Sequence, residues 1–91
     1  MFYKVIFQAS DNISFRYQAI FIGRNGGRTK TYFGDRNIRH YTMYGADKDD
    51  YTFPSDLSNP FNRNTLEALI LWTNPSINQA IKDYKAKYNF I

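Results

Sequence analysis

A chain of 91 residues leaves room for one small domain and not for two, and a chain of that size buries only roughly 60 to 65% of its unfolded surface, so its core is thin. The absence of cysteine excludes a disulfide staple, a cysteine nucleophile and a thiolate zinc site, and fits a reducing compartment. The net charge of +4 is unevenly spread: residues 1–40 hold seven Lys/Arg against two Asp, whereas residues 41–64 hold two against four Asp. That polarity allows head-to-tail docking between neighbours, or an anionic partner at the basic end.

In chain order, Phe2 to Ala9 alternates Tyr3, Val5, Phe7 and Ala9 against Lys4, Ile6 and Gln8, which predicts a strand. The chain opens Met1-Phe2-Tyr3-Lys4 with no basic region leading into an apolar stretch, so the expectation is an unprocessed soluble chain. After the turn formers Ser10-Asp11-Asn12, Ile13 to Ile22 places Phe15, Tyr17, Ala19 and Phe21 on one face of a second strand. Gly23-Arg24-Asn25-Gly26-Gly27 contains an Asn-Gly pair suited to the positive φ of a hairpin turn, and Arg28 to Phe33 returns as a third strand. The expected sheet is therefore a three-stranded antiparallel meander over residues 1–34.

From Gly34 to Asn64 no period survives, because Gly45, Pro54, Pro60 and many Asp, Asn and Ser interrupt it. Some thirty residues without regular structure are unusual in a compact domain. Yet Tyr41, Met43, Tyr44, Tyr51, Phe53 and Phe61 lie here, and disordered segments are poor in aromatics, so the stretch reads as a loop wrapping the sheet or lying on a neighbour. A helix is predicted from Asn64 to about Thr73, with Asn64 as cap and Glu67 three residues on, as in a capping box. Pro75 breaks it and suits the first turn of a second helix capped by Asn74, on which Ile77, Ala80, Ile81, Tyr84 and Tyr88 share a face opposite Lys82, Lys85 and Lys87. The fold class is α+β in a single domain: sheet, irregular loop over 35–63, and two helices over 64–91 joined by a proline elbow.

The elbow Leu69-Ile70-Leu71-Trp72-Thr73-Asn74-Pro75-Ser76 concentrates the only tryptophan and an apolar run that must be covered on every side. It is either a buried anchor or a partner surface. With a composition 19% aromatic, Trp72, Tyr41, Tyr44, Tyr51, Phe53 and Phe61 are the candidate partner-binding residues.

Enzymatic and metal chemistry have little to stand on. His40 is the one histidine, which cannot build a zinc site without thiolates or a second imidazole, and no serine or carboxylate has the spacing of a triad partner; it reads as a surface or loop histidine. Asp47-Lys48-Asp49-Asp50 starts like a calcium loop, but Tyr51 and Thr52 stand where a ligand and a glycine are required. Gly23 to Gly27 lacks the spacing of a phosphate loop. No cofactor is implied. The last helix, with three lysines, is too weakly basic for a membrane-surface helix, and no run reaches the roughly 18 apolar residues of a membrane span. Arg16, Arg24, Arg28, Lys30, Arg36 and Arg39, mixed with Tyr17, Tyr32 and Tyr41, form an alternative, nucleic-acid-binding surface. The bland account is a set of solubilising strand charges over a tyrosine-covered core.

The order Tyr17-Gln18-Ala19-Ile20-Phe21, Thr31-Tyr32-Phe33-Gly34, Tyr41-Thr42 with Asp47 and Tyr51, then Leu69-Ile70-Leu71-Trp72-Thr73-Asn74-Pro75-Ser76-Ile77 resembles a family of short uncharacterised proteins of large nucleocytoplasmic double-stranded DNA viruses. The resemblance spans roughly residues 16–88, and the elbow and the Phe-Gly corner are its most specific parts. The chain departs from the pattern at His40, where Asp would precede Tyr-Thr, and at Asp49-Asp50 and Phe53-Pro54-Ser55, where the family carries an Arg-His pair and a basic run. The resemblance implies a virion location and brings no catalytic residues; without it the expected location is cytoplasmic. Three non-enzymatic roles follow: a minor capsid or other virion component docking on coat proteins, a nucleic-acid-associated protein, or an inhibitor or adaptor binding a host protein.

Overall fold

In the computed structural model, which describes residues 2–91, strands β1 (Phe2–Ala9), β2 (Phe15–Gly23) and β3 (Arg28–Asp35) form an antiparallel sheet in the order β1-β2-β3. The first residue of the expected sheet region, Met1, lies outside the described residues. The register sets Ala19 between Phe7 and Thr31, and Tyr17 opposite Phe33. Because side chains alternate, Val5, Ala19, Phe21 and Phe33 share the buried face. The other face is tied together by polar groups. Gln18 donates to Gln8 at 3.0 Å, and Asp11 accepts from Lys30 Nζ at 2.9 Å and from the Tyr32 hydroxyl at 2.6 Å. The Tyr32 hydroxyl, and then Lys30, hold the Asp11 carboxyl below its ordinary pKa.

Strand boundaries differ modestly from expectation. β2 starts at Phe15 rather than Ile13, because Ser10 and Asn12 close a side-chain-bonded turn that leaves Ile13 in solvent. β3 runs on to Asp35 through Gly34, whose φ of 81° turns the corner that follows the Phe33 ring. The β2–β3 turn is the expected hairpin: Gly23 N–H donates to Gly27 at 2.7 Å, and Gly26 takes φ 87°.

The helices cover the buried face of the sheet. Short α2 (Arg63–Leu66) passes directly into a π-helical turn, Glu67–Leu71, and α3 (Ile77–Tyr88) follows the elbow. The caps fall elsewhere than the sequence suggests. Asn62, not Asn64, caps α2 by accepting from Asn64 N–H at 2.7 Å, and Ser76, not Asn74, caps α3. Glu67 closes no capping box, because its carboxylate is spent on the open edge of β3, accepting from Gly34 N–H at 3.2 Å. Arg63 covers the same edge by donating to the Tyr32 carbonyl at 2.8 Å. On the far edge, Ile91 pairs its backbone with Tyr3 and Val5 of β1.

The expected face of α3 does turn inward: Ala80 and Tyr84 are buried, with Ile77, Ile81 and Tyr88 packed beside them. The core is a contact network of rings, in which Phe21 meets Phe61 at 4.8 Å and Phe7 meets Tyr84 at 5.6 Å. Each such side chain contributes about 1.5–3 kcal/mol by leaving water.

Candidate docking site

The all-round apolar turn at the elbow is covered by the chain's own elements. Ala68, Ile70, Leu71 and Trp72 are buried, with Trp72 only 5% exposed. Leu71 reaches the Gly34 corner of the sheet, α3 packs alongside, and the segment after β3 closes the remaining side. We call that segment, residues 36–53, the strap.

Polar bonds to the elbow and to β2 fasten the strap. Thr42 Oγ1 donates to the Asn74 carbonyl at 2.5 Å and Met43 N–H to the Pro75 carbonyl at 3.2 Å, so the proline break supplies two acceptors that a continuing helix would have used internally. Arg16 reaches from β2 to the Arg36 and Ile38 carbonyls at 3.1 and 3.4 Å and lies over the Tyr44 ring at 4.2 Å. Arg39 donates to the Tyr44 carbonyl at 2.5 Å. The short α1 (Tyr41–Tyr44) inside the strap is interrupted: Thr42 is extended, and Met43 takes φ 69°, a left-handed conformation that costs a non-glycine residue about 1–2 kcal/mol. Beyond it, Asp47 caps a 3-10 turn over Lys48–Asp50, whose acidic side chains face solvent.

Under the strap, Trp72 is held between rings. Tyr51 stacks on it at 4.7 Å with planes 8° apart, and His40 meets it edge-on at 5.8 Å. His40 is therefore no surface histidine. It is 2% exposed, its Nδ1 has no hydrogen-bond partner among the described residues, and burial, with Arg16 second, lowers its pKa while Asp35 pulls the other way. Sequence reasoning missed this because nothing in local pattern says that the residue will face a tryptophan 32 positions away. Burial likewise raises the pKa of Glu67, and raises that of Tyr17, beside Tyr44, to about 12.

The six aromatic candidates divide. Trp72 is an internal anchor, Phe61 joins the core against Phe2 and Phe21, and Tyr51 is half-buried on Trp72. Tyr41 and Tyr44 are half-buried in the strap, and Phe53 is 38% exposed, edge-on to Tyr51 at 5.1 Å. Two residues that sequence reasoning did not single out as partner contacts join Phe53: Met43, 59% exposed, and Ile38, 47% exposed. Of the five large apolar side chains most exposed among the described residues, these three lie on the strap. The structure reveals their exposure, which Ile38, Met43 and Phe53, having no common period, do not announce in the sequence.

The six basic candidates do not converge. Arg16 and Arg39 are engaged with strap carbonyls, Lys30 pairs with Asp11, and Arg24 lies over the Tyr3 ring at 4.8 Å. Arg28 and Arg36 are exposed but stand near opposite ends of β3, about 26 Å apart at the rise of an extended strand. Among the described residues no group of three or more His, Cys, Asp or Glu is placed to hold a metal ion, and no helix is long and apolar enough to cross a membrane.

No family model, curated protein or solved structure matches the chain.

Proposed function

We propose that this chain is a non-enzymatic docking protein, a minor capsid or other virion component of a large DNA virus, whose strap seats on a neighbouring coat protein. One observation carries the reading: Ile38, Met43 and Phe53 hold their apolar side chains in water on a segment that is itself fastened by named bonds. Three large apolar side chains left exposed on one segment offer a partner apolar area to cover, and a pre-ordered segment loses little entropy when it binds. The strained Met43 supports it, since backbone strain persists where the surroundings fix it and gathers at sites of function. The viral setting rests on the resemblance of the Phe33-Gly34 corner and the elbow.

The test is incorporation into particles. The double variant Met43→Ser, Phe53→Ser touches only exposed side chains, so thermal unfolding stays within a few degrees of the parent while the protein disappears from purified particles. Undiminished incorporation of that variant, or absence of the parent from particles, overturns the reading.

A further inference from the structure

At the opposite end of the sheet from the strap, the start of β1, the β2–β3 turn and the C-terminus of α3 enclose a cleft of about 480 Å³ lined by Phe2, Tyr3, Arg24, Asn25, Tyr88 and Asn89. The two ends are distinct. Arg24 follows the last residue of β2, whereas Arg16, which holds the strap, is the second, and the separation along the strand is about 26 Å.

The lining groups present positive charge and N–H donors. Among the described residues Arg24 has no carboxylate within ion-pairing distance, and its guanidinium, which lies over the Tyr3 ring, makes no side-chain hydrogen bond. Lys87, over the Tyr88 ring at 5.6 Å, does not line the cleft, so Arg24 is its one lining cation among the described residues. Asn25 spends its side-chain oxygen on Gly27 N–H at 3.0 Å, which leaves it the amide N–H groups to offer. Asp56, whose charge reaches the Tyr88 hydroxyl, is engaged with Ser58 N–H at 2.9 Å and does not line the cleft. Such a set selects an oxyanion, and the planar fork of arginine suits phosphate in particular. The cleft opens to solvent, and its volume, that of a small-molecule site, leaves room for a body beside the anion. The body that matches the Tyr3 and Tyr88 rings and the carboxamide of Asn89 is planar, polar at its edges and apolar on its faces.

We propose that this cleft binds a nucleoside 5′-monophosphate, free or as the 5′ end of a single strand. The phosphate lies on Arg24 and the Asn25 amide. The base packs at Tyr88, with Asn89 at its edge. This site is independent of the strap, so its failure leaves the docking reading untouched.

The experiment titrates the intact chain by calorimetry and by amide chemical shifts, with six probes: adenosine 5′-monophosphate, adenosine, inorganic phosphate, a thymidine hexamer with and without a 5′-phosphate, and hexaglutamate. The expected result is that the monophosphate binds at least about tenfold tighter than adenosine or phosphate, with shifts confined to the turn, the start of β1 and the end of α3. Arg24→Gln, at an exposed position, lowers that affinity about tenfold or more without changing thermal unfolding, and Arg24→Lys restores part of it. A phosphorylated hexamer that binds like the monophosphate identifies a strand end as a source, and binding of the monophosphate alone identifies the free nucleotide; either supports the proposal. Equal binding of adenosine or of phosphate, tighter binding of hexaglutamate, an unaffected Arg24→Gln variant, or no shifts at millimolar probe each overturns it.

Discussion

The meander and the strap are ordered by different means. From Phe2 to Asp35 the chain is held by a repeating ladder in which the register is over-determined: a slip of β2 by one residue would move Ala19 and Phe21 to the solvent face together, and a slip of β1 or β3 would do the same to Val5 or Phe33. From Arg36 to Phe53 no ladder exists, and order rests on a few individual contacts: Thr42 and Met43 on the elbow carbonyls, Arg16 on the strap carbonyls, and Tyr51 on Trp72. A segment of the second kind opens locally at lower free energy than the sheet beside it, because losing two or three contacts frees it. A docking surface carried on such a segment can be switched without unfolding the domain.

Removing Trp72 should separate the two regions most strongly. Trp72→Ala deletes the ring on which Tyr51 and His40 rest, and truncating a buried tryptophan costs about 3–5 kcal/mol. Hydrogen exchange should show the strap amides near the rate of free peptide while the β1–β2 ladder keeps much of its protection. Uniform loss of protection across both regions would mean that strap and sheet are one cooperative unit.

Gly34 is where the regions join, and the expected effect is intermediate. Its φ of 81° is unfavourable for any side chain, and an added Cβ would lie 3.2 Å from Tyr17 Cδ2 and 3.3 Å from Leu71 Cδ1. Gly34→Ala should therefore cost about 2 kcal/mol, from left-handed strain plus the close approach. Chemical denaturation reads this directly; a loss under about 0.5 kcal/mol would show that the corner relaxes.

The same contrast explains what could be read in advance. The strands, the Asn25-Gly26 turn and the inward face of α3 are encoded by short-range periods, so Ala19, Phe21, Ala80 and Tyr84 could be placed from the sequence alone. The caps fall two residues from the expected positions because Asn62, Asn64, Asn74 and Ser76 are all competent; at α2 the tertiary use of Glu67 at the Gly34 N–H removes the expected capping box, and at α3 Asn74 is spent on Ser76 N–H while Ser76 caps. The strap was illegible for a further reason: its partners lie some 30 residues away, as Thr42 with Asn74 and His40 with Trp72 do, and a one-dimensional pattern holds no record of such pairings. The aromatic content of the middle segment is visible in the sequence, while its division into anchor, core and surface emerges only from the fold.

The smallest expected effect is the pH response of the strap, and its sign follows from His40. Burial, then the Arg16 guanidinium, lowers the imidazole pKa below its ordinary 6.5, with Asp35 as the partial counterweight. A group whose folded pKa is depressed is protonated first in the unfolded chain. Stability is therefore fully present above pH 6.5 and is lost as pH falls from there toward the folded value, with a slope of at most about 1.4 kcal/mol per pH unit. Glu67 has the opposite sign, because its raised pKa makes stability decline as pH rises through the window above its ordinary 4.5, so the two responses differ in direction where they meet. Replacing the imidazole in His40→Gln should flatten the loss below pH 6.5 while leaving the Glu67 response intact. Strap amides rather than sheet amides should carry the difference, since the imidazolium would form beside Arg16, the side chain that holds the strap down. A parent whose strap exchange shows no change in stability between pH 7 and pH 5 would mean that the buried imidazole is met by a compensating charge, and Asp35 is the residue to replace next.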